Sequence, residues 1–363
     1  MPFLGMWVPN SGFFCGSKRH YFSPQSSLLA LRFSRGMISL LLCALLQTPP
    51  PTLEPWKPAR RVDAPLWLFP VADDEGTIVL SSENTRHLRV ATTDLENLRI
   101  RWKDAAGSED TAGQNISDHW HIFAHGHHWL SFSTGSAQQS YLLKLDKNLK
   151  RVGLWPLSNQ KGLPTNDHFL VAEPDGVAVG HFRPGYGHRI FRFDKEGKPR
   201  GTVDVGGGAY RHGNGSSAIP LQGGYRILAT ETLNMVQQGG VFFLETDANW
   251  KPKASKLVID EDRKNVAMAS GIVLESGYTI LHARVCDKAC PRGEMPPPPS
   301  KDQKGLAPDD GAIVRYVISP ERKIVSREEL AERGNRPHTT LVGDLLITTW
   351  DGQGTTLRVD RVR

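Results

Sequence analysis

The strongest constraint on this chain is internal repetition. Segments of one kind recur along it: "HLRVATTDLENLRIRW", "YLLKLDKNLKRVGLWPL", "RIFRFDKEGKPRGTVDV", "VFFLETDANWKPKASKLVI", "IVRYVISPERKIVSREEL" and "TLRVDRVR". Each opens on alternating apolar residues, and most run through a polar turn into a second strand. Asp146 and Asp194 open equivalent turns. Ahead of these segments lie earlier strand pairs, "HWHIFAHGHHWLSFS", "HFLVAEPDGVAVGHF", "AIPLQGGYRILATE", "SGIVLESGYTILHA" and "TTLVGDLLITTW", each with a Gly-containing turn. A four-stranded unit cannot bury its faces alone, so units of roughly 40–50 residues must stack side by side.

Units start near Leu66, Asp118, Asp167, Ser216, Ala267 and His338. The last has three visible strands, and a strand from the region Pro58–Leu66 is expected to complete its sheet and remove two exposed edges. This pattern resembles the six-bladed β-propeller superfamily over Ala64–Arg363. The resemblance is architectural: the chain lacks a WD dipeptide series, a kelch double-glycine series and a sialidase-type Asp box. It implies an all-β fold of six four-stranded blades, with five or seven as the neighbouring counts, and no particular activity. The one stretch with helical periodicity is "SREELAERG".

The 35 Gly and 25 Pro among 363 residues suit many turns rather than long helices. The formal charge of +6 invites a nucleic-acid reading, but the residues through Leu53 supply Lys18, Arg19, Arg32 and Arg35 and no acid. What remains is nearly balanced and has no basic stripe, so nucleic acid is excluded as the default partner. "MISLLLCALLQTPPPT" from Met37 has an apolar core too short to span a bilayer and a Pro-rich exit. Residues 1–53 therefore read as a leader, either with an over-long start or with a transit-like extension. Residues 54–363 read as one exported propeller domain, periplasmic or secreted and monomeric. Cys43 falls in the leader's apolar core, and bulky Leu42 before it disfavours a lipid anchor.

Cys286 and Cys290 are expected to close a small disulfide loop in an exported chain, a two-cysteine metal site being the alternative without a second pair. The inserted stretch after Cys286, through Asp310, carries four consecutive prolines and reads as stiff and extended.

"SDHWHIFAHGHHW" packs five histidines. In a propeller the inner strand starts at one rim, and the second strand ends at that rim. Asp118, His119 and His121 are thus expected on the rim side, and His125, His127 and His128 on the far side. The same logic gathers His168, His212 and His338 with Glu83, Arg183, Tyr186, His188, Glu231, Arg284 and Asp351. Three readings are open. His119, His168 and His338 converge on a divalent metal in the central channel. Alternatively, His119, His168 or Tyr186 performs acid–base chemistry on an acidic saccharide held by Arg183 and Arg284, as a lyase or hydrolase. In the third reading the histidines bond strand ends together, and the rim, with His212, Glu231, Arg284, His338 and Asp351, binds a carbohydrate or protein ligand. His181 and His282 alternate with apolar neighbours and are expected to pack between blades, while Trp120, Trp129, Trp155 and Trp350 are expected in the core.

Overall fold

A computed structural model describes residues 48–64, 67–84, 86–97, 99–134, 139–157, 168–183, 187–206, 212–233, 236–261, 265–286, 311–352 and 354–363. Residues Pro49–Arg363 form one compact unit. Strand β1 (Leu53–Val62) precedes blade 1, made of β2 (Phe69–Ala72), β3 (Ile78–Glu83), β4 (His87–Thr93) and β5 (Lys103–Gly107). A 3-10 turn at Ser108–Thr111 leads to blade 2: β6 (Ile116–Ala124), β7 (His127–Thr134), β8 (Ser140–Leu145) and β9 (Arg151–Pro156). Blade 3 is β10 (His168–Glu173), β11 (Gly176–Arg183), β12 (Gly187–Asp194) and β13 (Pro199–Val205). Blade 4 is β14 (His212–Leu221), β15 (Gly224–Leu233), β16 (Val236–Asp247) and β17 (Pro252–Ile259). Then come β18 (Asn265–Val273), β19 (Thr279–Cys286), β20 (Gly311–Ile318), β21 (Ile324–Val342), β22 (Leu345–Asp351) and β23 (Thr355–Val362).

Blades 1 to 4 are separate four-stranded antiparallel sheets, and the rest form one seven-stranded sheet in the order β1-β23-β22-β21-β20-β19-β18. Strand β21 serves two blades. Its residues 324–334 pair with β20, and residues 335–342 pair with β22. Counting β21 in both halves gives six four-stranded units, blades 5 and 6 sharing that strand. Strand β1 pairs antiparallel with β23 and makes the fourth strand of blade 6.

Two expectations are corrected here. The closing strand begins at Leu53, not Pro58, and its register slips between Pro55 and Lys57 and again between Lys57 and Arg60. An outermost strand tolerates proline because one side of its ladder faces no partner. "SREELAERG" is the outer strand of blade 5 rather than a helix. Pairing with β20 overrides the local periodicity, as tertiary context does for edge segments of weak propensity.

The apolar core is distributed over the seams between blades. Leu88, Leu130 and Phe132 join blades 1 and 2, and Trp129, Val177 and Phe191 join blades 2 and 3. Phe169 and Trp250 lie between blades 3 and 4, Phe243 and Tyr316 between 4 and 5, and Leu80 and Ile347 between 6 and 1. Trp129 and Trp350 are buried, as expected of core residues, and Trp120 and Trp155 pack partly buried against the seams. Among the described residues no helix is long and apolar enough to cross a membrane.

Candidate functional site

The rim is built by a repeated bulge. Inner strands β6, β18 and β21 break register at the same point, between Ser117 and Trp120, Ala267 and Ser270, and Asn335 and His338. The extra residue tightens the local twist and re-aims side chains. Two positions before Trp120, Ser270 and His338 stand Asp118 (φ 46°), Met268 (φ 52°) and Arg336 (φ 45°), all in the left-handed region. Trp67 (φ 35°) holds the same place before Phe69 of blade 1. A non-glycine residue there carries about 1 kcal/mol or more of strain, so its surroundings must hold it.

The surroundings do so by joining three of these residues across blades 6, 1 and 2. Arg336 Nη1 lies 2.9 Å from Asp118 Oδ1, and its guanidinium sits 3.3 Å from the centre of the Trp67 ring. Arg284 Nη1 donates to Asn335 Oδ1 at 3.1 Å, next door to Arg336. The Asp118 backbone N–H donates to Glu83 Oε1 at 3.0 Å, and Thr355 Oγ1 donates to Asp351 Oδ1 at 3.0 Å. Burial pushes the Asp118 carboxyl up to about 6, against the pull of Arg336. Burial does the same to Asp351, also to about 6, against Thr355 and Arg336. The rim thus holds two buried carboxyls, both raised above the usual carboxylate range, near one arginine that pulls against the shift.

His119 and His338 both lie at this end, and both rings pack on Phe69, with centroids 4.5 Å and 3.5 Å away. Both ring nitrogens of His119 are taken: Nδ1 by Glu83 Oε2 at 2.8 Å and Nε2 by Ser81 Oγ at 3.1 Å. This leaves His119 no lone pair for a metal. Burial holds His338 well below the usual imidazole range. Among the described residues no group of three His, Cys, Asp or Glu side chains is placed to hold a metal ion. The side chains of His168, Arg183, His212 and Glu231, together with Tyr186 and Cys290, lie outside the described residues. The expected Cys286–Cys290 pairing and most of the inserted loop fall there too. His181 and His282 are buried, and Thr339 Oγ1 of blade 6 lies 2.8 Å from His282 Nδ1.

The histidine-rich stretch keeps His127 and His128 at the hairpin end, as expected, but a link between the two ends was not expected. The hairpin pairs Phe123 with His128 and His121 with Leu130, which swings the His128 ring back toward His121. His121 Nε2 lies 3.1 Å from His128 Nδ1, and His121 Nδ1 lies 3.1 Å from Ser81 Oγ. Glu83, His119, Ser81, His121 and His128 therefore form one buried chain along the seam between blades 1 and 2. His125 and His127 stand outside it: His125 Nε2 lies 2.9 Å from the Glu173 and Gly176 carbonyls of blade 3, and His127 Nδ1 lies 2.9 Å from the His125 carbonyl. Trp67, Ser81 and Arg336 were not anticipated. Their signal was position: each lies at a fixed offset from a repeated strand start, visible once the bulges are aligned.

Below the rim a central channel of about 380 Å³ runs between the inner strands, from Phe69, Trp120 and His338 at one end to Ala72, Phe123 and Leu341 at the other. Phe69, Trp120 and His338 contact one another, ring to ring, at the rim end of that channel.

No protein-family model matches the chain, and no curated protein does. Solved structures are similar in fold. An α-L-arabinofuranosidase from Fusarium graminearum superposes with a TM-score of 0.55 at 11% identity, over 84% of this chain and 97% of that one. A subtype N10 neuraminidase-like protein of A/little yellow-shouldered bat/Guatemala gives a TM-score of 0.50 at 9% identity, over 86% of this chain and 100% of that one. At such identities the likeness concerns the fold alone, and it agrees with the strand topology: the chain is a β-propeller.

Proposed function

We propose that the protein binds a carbohydrate on the rim where blades 6, 1 and 2 meet. The observation that carries this reading is the convergence of Arg336, Trp67 and Asp118 from one repeated bulge position. Half-buried aromatic and charged groups held in fixed directions suit a ligand that presents both ring faces and hydroxyls. Glu83, Asp118 and Asp351 outnumber Arg284 and Arg336 there, and both arginines already have partners. That balance favours a neutral glycan over a uronate. The similar arabinofuranosidase was solved with an iminosugar inhibitor, which supports a sugar as the ligand class.

A second reading, glycoside hydrolysis, rests on Asp118 and Asp351, both raised to about 6 beside Arg336. One carboxyl would donate a proton to the leaving oxygen and the other would act as carboxylate. Binding of neutral oligosaccharides by the full chain, followed by calorimetry, tests the first reading. Arg336→Ala and Trp67→Ala are each expected to weaken affinity at least about tenfold, or ~1.4 kcal/mol. Unchanged affinity in both variants would remove the rim from the binding surface. Product release from an arabino-oligosaccharide, lost in Asp118→Asn and Asp351→Asn, would establish the second.

A further inference from the structure

The buried chain between blades 1 and 2 has a direction. Glu83 accepts at both oxygens, from the Asp118 backbone N–H and from His119 Nδ1. With Glu83 ionised and His119 neutral, the remaining contacts allow one order: His119 Nε2 accepts the Ser81 hydroxyl, Ser81 Oγ accepts His121 Nδ1–H, and His121 Nε2 accepts His128 Nδ1–H. Every link points toward Glu83, and His128 Nε2 is the terminal acceptor. That atom is buried and has no hydrogen-bond partner among the described residues. The five side chains are all buried, with His128, Ser81, His119, Glu83 and His121 between 0% and 4% exposed. No water is needed to bridge any link.

We propose that Glu83, His119, Ser81, His121 and His128 form a proton relay between the hairpin face and the rim. When local opening of the hairpin exposes the otherwise buried His128 Nε2, a proton from hydronium adds to it and leaves water behind. The Nδ1 proton of His128 passes to His121 Nε2, the Nδ1 proton of His121 passes to Ser81 Oγ, and the hydroxyl's own proton passes to His119 Nε2. Four bonds to hydrogen form and three break, so the chain gains one proton in all. The added charge comes to rest on His119, facing the Glu83 carboxylate, while His121 and His128 end neutral. This resting place is the one that costs least, because an opposite charge lies 2.8 Å away.

The charges around the chain suit the two ends. Asp73 and Asp74 from the first turn of blade 1 and Asp146 from blade 2 draw positive charge toward His128, while His127 opposes it. At the rim end Asp118, Arg336 and Asp351 surround His119 and Glu83. Between them, burial and the neighbouring rings keep His121 neutral. The fold itself does not require the linking hydroxyl. At the position of Ser81, paired with the equivalent inner-strand residue, blade 3 carries Gly180 and blade 4 carries Leu228.

Nitrogen-resolved NMR on the chelator-treated full chain, labelled in histidine, tests this without any carbohydrate ligand. His119, His121 and His128 are expected to be Nδ1–H tautomers at neutral pH, and on acidification His121 and His128 are expected to pass to the Nε2–H tautomer together. In Ser81→Ala that joint change is expected to be lost. Ser81→Thr, which restores a hydroxyl, is expected to restore it. An Nε2–H tautomer of His121 or His128 at neutral pH in the unmodified protein would overturn the proposal, and that measurement needs no variant to fold. A joint change of tautomer that persists in folded Ser81→Ala would overturn it equally. Loss of glycan binding in Arg336→Ala with the tautomers intact would leave the relay standing and concern the rim reading alone.

Discussion

The seams between blades 1 and 2 and between blades 5 and 6 use one frame in opposite ways. In the first, β3 supplies the hydroxyl of Ser81 and inner strand β6 supplies His119 and His121. In the second, β19 supplies His282 and the inner half of β21 supplies the hydroxyl of Thr339. Ser81 and His282 pair with Phe69 and Ser270, and His121 and Thr339 follow Trp120 and His338 by one residue, so imidazole and hydroxyl have exchanged places. What surrounds them differs. Arg315 Nη1 meets Asp360 Oδ2 at 2.7 Å, Arg358 meets Asp360 at 2.9 Å, and Arg315 also meets Glu328. Charge in that seam is permanent and paired, and together with burial the two arginines hold His282 well below the usual imidazole range. The seam between blades 1 and 2 has one carboxylate and three imidazoles, so its charge is set by protons. One backbone arrangement thus supports a locked seam and an adjustable one, and side chains alone make the difference.

The sharpest way to break this comparison is in the locked seam. Asp360→Ala removes the buried carboxylate shared by Arg315 and Arg358 and leaves them only the more exposed Glu328, where Arg315 is 2% exposed, and is expected to cost about 3 kcal/mol in urea unfolding. A loss under about 1 kcal/mol would mean that the seam admits water in solution.

Acid probes both seams together. His121, His282 and His338 are held well below 6.5, and His128 falls to about 4, so the folded chain binds fewer protons there than the unfolded chain. Their stabilisation is complete above pH 6.5 and declines as the pH falls toward about 4, by up to about 3 kcal/mol for His128. Asp118 and Asp351, raised to about 6, act with the opposite sign. Their contribution is present below pH 3.8 and is lost as the pH rises through about 6. Four histidines outweigh two carboxyls, so the urea midpoint is expected to drop between pH 7 and pH 5. A flat or rising profile on acidification would contradict the neutral assignment.

The smallest expected effect comes from the adjustable seam. Ser81→Ala removes a hydroxyl that bonds two rings and should cost about 1–3 kcal/mol at pH 7, toward the low end if the rings re-pair. His128→Phe keeps the ring volume and removes one donor, about 1 kcal/mol. If either variant matched the Asp360 loss, the two seams would be equally rigid and the contrast between them would fail.

Much of the fold was legible in the chain. Alternating strands, Gly-containing turns and a recurring unit length lead to stacked four-stranded sheets, because no such unit buries both faces alone. The rim end of each inner strand was legible too, and with it the common location of Glu83, Asp118, His119, Arg284, His338 and Asp351. The bulge was not legible, since the extra residue that points Arg336 at Trp67 and Asp118 has no signature in a single strand. Nor was the return of His128 to His121, which depends on which face each residue takes across the hairpin.

By itself, the sequence determined the repeat, the strand order within each unit and the end of the strands where a site can form, because these follow from local periodicity and turn chemistry. Tertiary structure alone decided which of those side chains meet. Arg336 and Asp118 are 218 residues apart, and Ser81 and His121 belong to different blades. Contacts of that kind arise only when the ring closes and each seam brings two independent strands to hydrogen-bonding distance.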